Sequence, residues 1–451
     1  MPLGVRVRPP VLLFTGCYLM FLAILWLPLA ELFPEAFVAL TVDRSLFGYK
    51  PPVATIVIYL LGLYAVWVGY LYAKAVPARA IVRRVGDEDG QRVHRLWQVG
   101  VGVALAAFVI QLVLVGQVPL LAVAARWELN PKLIQLVLWL AALVPMGLLI
   151  RGWRRGPVIV AAVSFVALSL LAYRTMVFDL VMAVLVACSL FIPRRRLGML
   201  LVGVGLAVFV VFATVGVITK GQIYGNKGYD ITKAVALVQT DSIGTFSNLD
   251  RVRVVTEEHG TLRGMIVTDT SLNIIPGVGR DYANFRLGSL LSGRQTITVD
   301  GTQINRSVSL TTTFAGPAYA DGGYLGVLML GGILGLLLGI FEEVAVRSRW
   351  FAGVFGLWAA VMFHGIYSGF ISETGILVTV LTSVAAVIAI RQRAARRTAT
   401  ASDAPAALAA RAARRRVALS DLALPAMVSA ADGTSAGGRR PTRSRPAPRR
   451  G

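Results

Sequence analysis

The apolar residues of this chain are grouped into separate blocks, most of them long enough to cross a bilayer as a helix. A membrane-spanning helix needs about 20 predominantly apolar residues. Such blocks occur at 11–33, 53–73, 97–115, 133–150, 158–173, 175–192, 197–218, 323–341, 350–371 and 375–390. The chain is 15% charged, whereas a soluble domain is about 25% charged. The sequence therefore predicts an all-α, polytopic transmembrane helical bundle of about ten spans.

Lysine and arginine are distributed unevenly between the two sides that these blocks create. With the N-terminus in the cytoplasm, the short cytoplasmic segments carry 16 basic residues and the short outer segments carry 5. Short cytoplasmic loops are the basic ones in membrane proteins, and long loops are left out of the comparison. The pattern predicts a multi-pass protein of the cell inner membrane with both termini cytoplasmic. Because the net charge of +22 is spread over short loops and the tail, it does not indicate nucleic-acid binding.

The chain divides into four parts on this interpretation. Residues 1–218 form the N-terminal transmembrane helices, and 219–322 form an extracytoplasmic loop that covers the site. Residues 323–390 form the C-terminal transmembrane helices. The basic tail 391–451 is predicted to be disordered and cytoplasmic, because its few large apolar residues cannot bury a core. Within the loop, 231–258 has apolar residues at near-helical spacing, which predicts one or two surface helices.

The ionisable residues inside the predicted spans lie near their outer ends, beneath the long loop. They are Arg174, Asp179, His364 and Glu373. Transporters usually place such groups near the bilayer middle, so this distribution favours chemistry at the membrane surface. A snorkelling anchor remains the alternative for Arg174, and a packing role remains the alternative for His364.

Two further groups of residues suit a phosphorylated sugar or a proton transfer. Arg280 and Arg286 flank Tyr282 in a glycine-rich stretch, where guanidinium groups can bind phosphate oxygens bidentately and the aromatic ring can stack on a sugar. Tyr319 and Asp321 lie at the outer mouth of the eighth block, where a tyrosine can equally be an interfacial belt residue. The three histidines and two cysteines show no metal-ligand spacing, so the sequence predicts no metal and no cofactor.

Four motifs occur in a fixed order along residues 95–385. They are Gly116-Gln-Val-Pro119-Leu-Leu, Leu171-Ala-Tyr173-Arg174-Thr175, Ile275-Pro276 with later arginines, and Thr313-Phe-Ala-Gly316-Pro-Ala-Tyr319-Ala-Asp321-Gly-Gly323-Tyr-Leu-Gly326. In the first motif, Pro119 is expected to end the preceding helix. The four motifs resemble the G-x-I-P-L-L, G-Y-R-T, Ile-Pro loop and G-x-x-Y-x-N-F-G-x-x-G motifs of the bacterial oligosaccharide repeat-unit polymerases, the O-antigen polymerase type. One departure is that Gly-Val-Gly precedes Arg280, where the family continues Ile-Pro with arginine.

The resemblance implies a metal-independent glycosyltransferase at the outer face of the cytoplasmic membrane. Such an enzyme moves a glycan from a polyprenyl diphosphate, such as undecaprenyl diphosphate, to a hydroxyl of a second lipid-linked repeat unit. Candidate cations for the diphosphate are Arg174, Arg280, Arg286 and Arg306. His364, Asp321 and Glu373 are the candidate bases, and the glycine-rich eighth block is expected to line the lipid. Expected partners are the lipid-linked donor and acceptor, membrane lipid, and chain-length regulator and flippase proteins.

Two other functions fit the same sequence features. A related ligase would move a finished glycan to a different acceptor and would have nearly the same sequence. A transporter or flippase of lipid-linked glycans would need polar residues along a path through the membrane, and the sequence shows no such series.

Overall fold

A computed structural model describes residues 7–36, 49–75, 90–122, 125, 128–192, 198, 231–272, 274, 294–299, 302–307 and 311–391. Its helices are α1 (Pro9–Ile24), α2 (Leu29–Leu32), α3 (Val53–Ala75), α4 (Gly90–Val115), α5 (Pro131–Leu138), α6 (Leu140–Arg151), α7 (Arg155–Leu170), α8 (Arg174–Ser189), α9 (Ile231–His259), α10 (Met265–Leu272), α11 (Ala315–Ala345), α12 (Arg349–Ser368) and α13 (Glu373–Arg391). The tail beyond Arg391, predicted to be disordered, lies outside the described residues.

Helices dominate the described part of the chain, and many are apolar. Six of those described are long and apolar enough to cross a membrane, at Val53–Ala75, Val93–Val115, Pro131–Arg151, Ala315–Ala345, Arg349–Ser368 and Glu373–Arg391. Three shorter apolar helices are also present, at Pro9–Ile24, Arg155–Leu170 and Thr175–Ser189. The chain is therefore a helical, polytopic membrane protein. The count of ten spans stays a prediction, because apart from Gly198 the block at 197–218 lies outside the described residues.

The helix of the third predicted span, 97–115, ends before Pro119, the residue that was expected to end it. Helix α4 ends at Val115, and Gly116 follows with a φ of +69°. The N–H of Gly116 still donates to the carbonyl of Leu112 at 2.9 Å, so Gly116 stops the helix in the left-handed conformation that glycine adopts without a Cβ clash. The prediction that Pro119 ends the helix was therefore wrong.

Helices α3 and α11 are in backbone contact along a row of glycines in α11. A Cβ atom at Gly331 would lie 2.6 Å from Cβ of Ala65, and one at Gly339 would lie 2.5 Å from Cβ of Ala73. At Gly335, between them, a Cβ would overlap the carbonyl oxygen of Val66. Small residues four apart allow this close approach between membrane helices. The glycine face expected to line a lipid is thus occupied by α3.

Helix α12 lies in the centre of the bundle and packs closely on α6 and α8. A Cβ at Gly353 would lie 2.6 Å from the carbonyl oxygen of Ala142 in α6. A Cβ at Gly356 would lie 2.5 Å from the carbonyl oxygen of Ala183 in α8. The indole of Trp358 is fully buried and donates to Thr379 Oγ1 of α13 at 3.0 Å. These contacts fix the position of α12 relative to its neighbours.

Helix α9 confirms the prediction of helix within 231–258 and lies at one end of the bundle. Its Gln239 side chain donates to the carbonyl of Ile24 at the end of α1. Its Asp250 accepts a 2.7 Å hydrogen bond from Thr55, near the start of α3. Its Asn248 donates to the carbonyl of Thr311, just before α11. Helix α9 is thereby attached to one end of α1, α3 and α11.

A buried cluster of ionic residues joins the opposite ends of the same three helices. Lys74 Nζ of α3 lies 2.6 Å from Glu342 Oε1 and 2.7 Å from Glu343 Oε1 of α11. Arg8, just before α1, lies 3.1 Å from Glu343. The Tyr70 hydroxyl donates to Glu342 at 3.1 Å. At 1.5 Å per residue, Thr55 and Lys74 are about 28 Å apart along α3, which is close to the thickness of the hydrocarbon core of about 30 Å.

This cluster corrects the expectation that ionisable residues inside the spans gather only at their outer ends. The eighth block was predicted to end at 341, whereas α11 continues to Ala345 and buries Glu342 completely. Lys74 was counted among loop residues but is 7% exposed. The sequence shows these residues only at the margins of apolar blocks, and their pairing depends on contacts between distant segments.

The long loop also contains a β-hairpin that the helical prediction did not include. Strand β1 (Arg294–Val299) pairs antiparallel with β2 (Thr302–Ser307), and Ile297 lies opposite Ile304. The two residues between the strands are Asp300 and Gly301. An Asp-Gly pair between β-branched residues is a strong hairpin signal, so the sequence did carry evidence for this element.

Candidate active site

His364 and Asp179 form a pair near the end of the bundle that α9 covers, with Asp179 buried and His364 partly exposed. His364 Nδ1 lies 3.8 Å from Asp179 Oδ1, and the two side chains are 24% and 5% exposed. His364 is in the last two turns of α12, and Asp179 is in the second turn of α8. The sequence identified both as ionisable residues within spans but did not predict that they pair.

Aromatic contacts connect this pair to α1 and α9. Phe14 of α1 contacts Phe363 edge to face at 5.5 Å between ring centroids. Phe21 contacts Tyr367 at 6.1 Å on one side and Phe246 of α9 at 5.8 Å on the other. The end of α12 that carries His364 is thus held beneath α9 through the rings of α1.

Two of the motifs meet at the turn between α7 and α8. The N–H of Leu120, in the first motif, donates to the carbonyl of Leu170 at 3.1 Å. Ala172 in the second motif is fully buried and has a φ of +57°. This conformation costs a residue with a Cβ atom about 1–2 kcal/mol relative to glycine. It gives a physical reason for the glycine at this place in the G-Y-R-T motif, and the strained turn positions the start of α8 at Arg174.

A second strained residue lies in the motif that begins α11. Thr313 is fully buried with a φ of +60°, which is a true outlier for a β-branched residue. Gly369, after α12, packs here, because a Cβ at that position would lie 3.4 Å from the carbonyl oxygen of Thr313. Strained backbone of this kind is concentrated at functional sites. The start of α11 and the His364 end of α12 are therefore adjacent.

Asp321 has a defined structural partner at the start of α10. Its Oδ1 accepts the N–H of Ile266 and its Oδ2 accepts the N–H of Val267, both at 3.0 Å. Gly323, with φ +60° and ψ −146°, breaks α11 two residues later and allows the preceding turn to reach α10. Both carboxylate oxygens therefore cap a helix N-terminus, which makes Asp321 a weaker candidate for the base than His364.

Substitutions of Asp321 distinguish its role as the cap of α10 from a role as the catalytic base. We expect Asp321→Asn to retain chain growth, because its amide oxygen can still accept one of the two N–H bonds. Asp321→Ala removes both and should cost about 0.5–2 kcal/mol of stability. Thermal unfolding in detergent and gel sizing of the surface glycan measure the two effects. Complete loss of chain growth in a folded Asp321→Asn protein would instead make this carboxylate the base.

The other predicted residues are placed in part. Tyr319 is 3% exposed, and its ring contacts Tyr324 edge to face at 5.2 Å. Glu373 is half-buried in the first turn of α13, where the helix dipole favours a carboxylate. For Arg174 and Arg306 the structure gives the backbone position, at the start of α8 and in β2 opposite Gln295. Arg280, Tyr282 and Arg286 lie outside the described residues.

One arginine of α9 is engaged in ion pairs that fix the helix surface. Arg253 Nη1 lies 2.6 Å from Glu257, and its Nη2 lies 3.0 Å from Asp250, which also accepts from Thr55. Burial by itself lowers the pKa of Arg253, but its hydrogen bonds to Glu257 and Asp250 outweigh burial and raise the pKa.

Tyr49, before α3, also contacts α9, because its hydroxyl donates to the carbonyl of Phe246. Burial and the charge of Asp250 raise the pKa of Tyr49.

Comparison with known proteins decides the family. The family model described as "Putative O-antigen polymerase" matches residues 7–383, which is most of the chain and includes both the His364–Asp179 pair and α9. The chain belongs to the O-antigen polymerase family. No curated protein and no solved structure gives a significant match.

Membership of the O-antigen polymerase family confirms the predicted resemblance and gives a general function. The protein is a multi-pass membrane protein of surface polysaccharide biosynthesis, with the role of a glycosyltransferase-like repeat-unit polymerase. In the part of the chain that the structure describes, no three His, Cys, Asp or Glu side chains gather as a metal site would require. Metal independence of this O-antigen polymerase family member stays a prediction.

Proposed function

We propose that this protein polymerises polyprenyl-diphosphate-linked oligosaccharide repeat units at the outer face of the cytoplasmic membrane. A sugar hydroxyl of the acceptor attacks the anomeric carbon of the donor glycan. The bond from that carbon to the diphosphate oxygen breaks, and its electron pair leaves with the lipid diphosphate. The hydroxyl proton passes to His364, so atoms and charge balance without an added cofactor.

The observation that carries this proposal is the pair of His364 and the buried Asp179 at the α9 end of the bundle, inside the region matched by the family. A general base must be able to take up the proton of the attacking hydroxyl, and a neutral imidazole accepts one at its unprotonated ring nitrogen. Asp321 has both oxygens engaged by backbone N–H groups. His364 is therefore favoured over Asp321 as the base, and Glu373 stays a predicted alternative.

The proposed side of the membrane rests on two observations together. Helix α9 and the Arg8–Lys74–Glu342 cluster lie at opposite ends of α1, α3 and α11. The excess of basic residues in the short segments falls on the side of the cluster, and short cytoplasmic loops are the basic ones. The end covered by α9 is then the outer one, where lipid-linked repeat units are polymerised in this proposal.

The leaving diphosphate needs fixed positive charge, because negative charge develops on it as the bond breaks. We assign that role to Arg174, Arg280, Arg286 and Arg306, with Tyr282 as a sugar-binding residue. Tyr319 is 3% exposed, which favours a packing role over the predicted contact with sugar. Arg174 starts α8, the helix that carries Asp179, so its backbone lies within two helical turns of that residue. Chain-length regulator and flippase proteins remain proposed partners.

Deletion of the gene in its host, with sizing of the surface glycan, tests the function. Loss of long chains with single repeat units retained is the expected result. Polymer that accumulates on its lipid carrier would instead indicate a ligase. Accumulation of single repeat units on the cytoplasmic side would indicate a flippase, and each of these two outcomes would contradict the proposal.

Substitution of the arginines tests the site. We expect Arg174→Lys and Arg280→Ala to abolish chain growth while the protein still inserts, because an ammonium cannot reproduce the bidentate contact of a guanidinium with phosphate. Arg155→Lys, at the exposed start of α7 and away from its turn to Arg174, is the matched control and should leave chain length unchanged. Chains of wild-type length in both site variants would remove these residues from the mechanism.

A further inference from the structure

Asp179 is a buried carboxyl group with an incompletely satisfied oxygen. Its Oδ1 is buried and forms no hydrogen bond with the residues that the structure describes. Burying a carboxyl oxygen without a partner is costly, and such a group in a native structure calls for an explanation. Among the side chains that the structure describes, His364 is the basic residue that faces it, with Nδ1 at 3.8 Å.

The packing of α8 against α12 holds the two side chains in this arrangement. The close contact of Gly356 with Ala183 brings the helix backbones together about one turn from Asp179. His364 is two turns beyond Gly356, and side chains of a helix lean towards its N-terminus, which brings the imidazole back towards the level of Asp179. A larger residue than glycine at 356 would separate the helices and the pair.

We propose that Asp179 is a positioning residue for His364, an inference that rests on the proposed function. Its carboxylate accepts the Nδ1–H of the imidazole and so fixes the tautomer whose Nε2 is unprotonated. Nε2 then takes the proton of the acceptor hydroxyl as the donor bond breaks, and Asp179 stabilises the imidazolium that results. Nucleophile–base–carboxylate arrangements use a third group in this way.

The distance of 3.8 Å is longer than the 2.7–3.2 Å of an N–H···O hydrogen bond. Catalytic hydrogen bonds are often long before substrate binds and shorten in the complex. Both residues lie on helices that pack directly on each other, so a small rotation of the His364 ring brings Nδ1 into hydrogen-bonding range. Asp179 does not contact the acceptor in this proposal and acts only through His364.

A double-mutant cycle tests the assignment. Membrane vesicles from the host convert their own radiolabelled lipid-linked repeat units into longer chains, and the initial rate per folded protein is the readout. We expect Asp179→Asn to lower this rate about 10²-fold and His364→Gln to lower it 10²–10⁴-fold. In the His364→Gln background, Asp179→Asn should cause no further loss, because the carboxylate then has no imidazole to position.

Two controls keep protein folding apart from catalysis. Burying a neutral amide costs less than burying a carboxylate, so Asp179→Asn should fold at least as well as the native protein. Thr382 is a fully buried residue of α13 whose hydroxyl also lacks a hydrogen-bond partner within the described ranges. Thr382→Val should leave the rate unchanged, which separates loss of any buried polar group from loss of Asp179.

The other outcomes distinguish failure of the proposed function from failure of the positioning role of Asp179. A wild-type rate in His364→Gln would contradict the assigned base and with it the proposed chemistry. Loss in His364→Gln with a wild-type rate in Asp179→Asn would overturn the positioning role alone. Additive losses in the double variant would also overturn it, because Asp179 would then act independently of His364.

Discussion

Gly335→Ala is expected to separate helices α3 and α11 and to destabilise the protein by about 3 kcal/mol or more, at the upper end of overpacking costs. The added Cβ would overlap the carbonyl oxygen of Val66 and lie 2.9 Å from the backbone nitrogen of Tyr70. Neither atom can turn aside as a side chain can, so the helices must move apart. A change of 3 kcal/mol lowers the ratio of folded to unfolded protein about 100-fold. Thermal unfolding in detergent, followed by size-exclusion chromatography, measures it.

A glycine three residues away provides a matched control. A Cβ at Gly332 would meet no atom within 4 Å, and alanine has the higher helix propensity of the two. Gly332→Ala should therefore unfold at or above the native temperature. Equal stability of the Gly335 and Gly332 variants would show that α3 and α11 are not in backbone contact.

Glu342→Gln is expected to destabilise the protein by about 3–5 kcal/mol, since breaking a buried ion pair leaves its partner poorly compensated. Glu342 is fully buried and accepts hydrogen bonds from both Lys74 and Tyr70. Glu343 still pairs with Lys74, so we expect the lower end of this range. Unfolding in increasing denaturant, monitored in detergent, gives the free energy.

The matched comparison replaces both members of the pair. Lys74→Met combined with Glu342→Leu removes the buried charges together, and well-packed apolar replacements of an ion pair are often neutral. The double variant should thus be more stable than Glu342→Gln. A double variant that is the less stable of the two would mean that the cluster stabilises the fold beyond the mutual compensation of its charges.

Hydrophobic blocks predicted the helices well, because span length is a local property of the sequence. The blocks at 53–73 and 350–371 correspond to Val53–Ala75 and Arg349–Ser368. The block at 133–150 is divided at Trp139 into Pro131–Leu138 and Leu140–Arg151. The largest error in the predicted span boundaries is at α11, which extends beyond the predicted span at both ends.

The sequence identified residues of the candidate site but could not predict how they are arranged in space. His364 and Asp179 were recognisable as ionisable residues in apolar blocks, but nothing local links residues so far apart in the chain. The cap that Asp321 provides depends on the positive φ of Gly323 and the return of α10. The Lys74–Glu342 pair likewise arises because two glycine-rich helix faces bring α3 and α11 together. These contacts arise from packing between distant segments, which the hydrophobic pattern of the sequence does not reveal.

Accessibility of α9 from outside the membrane tests the central claim most directly. His259, 74% exposed at the end of α9, and Arg154, in the exposed turn before α7, are each replaced by cysteine in a chain that lacks Cys17 and Cys188. A membrane-impermeant thiol reagent is applied to intact spheroplasts and to lysed membranes. The account predicts that His259→Cys is labelled in intact spheroplasts and Arg154→Cys only after lysis. Labelling of His259→Cys only after lysis would place α9 and the His364 site on the cytoplasmic side and contradict it.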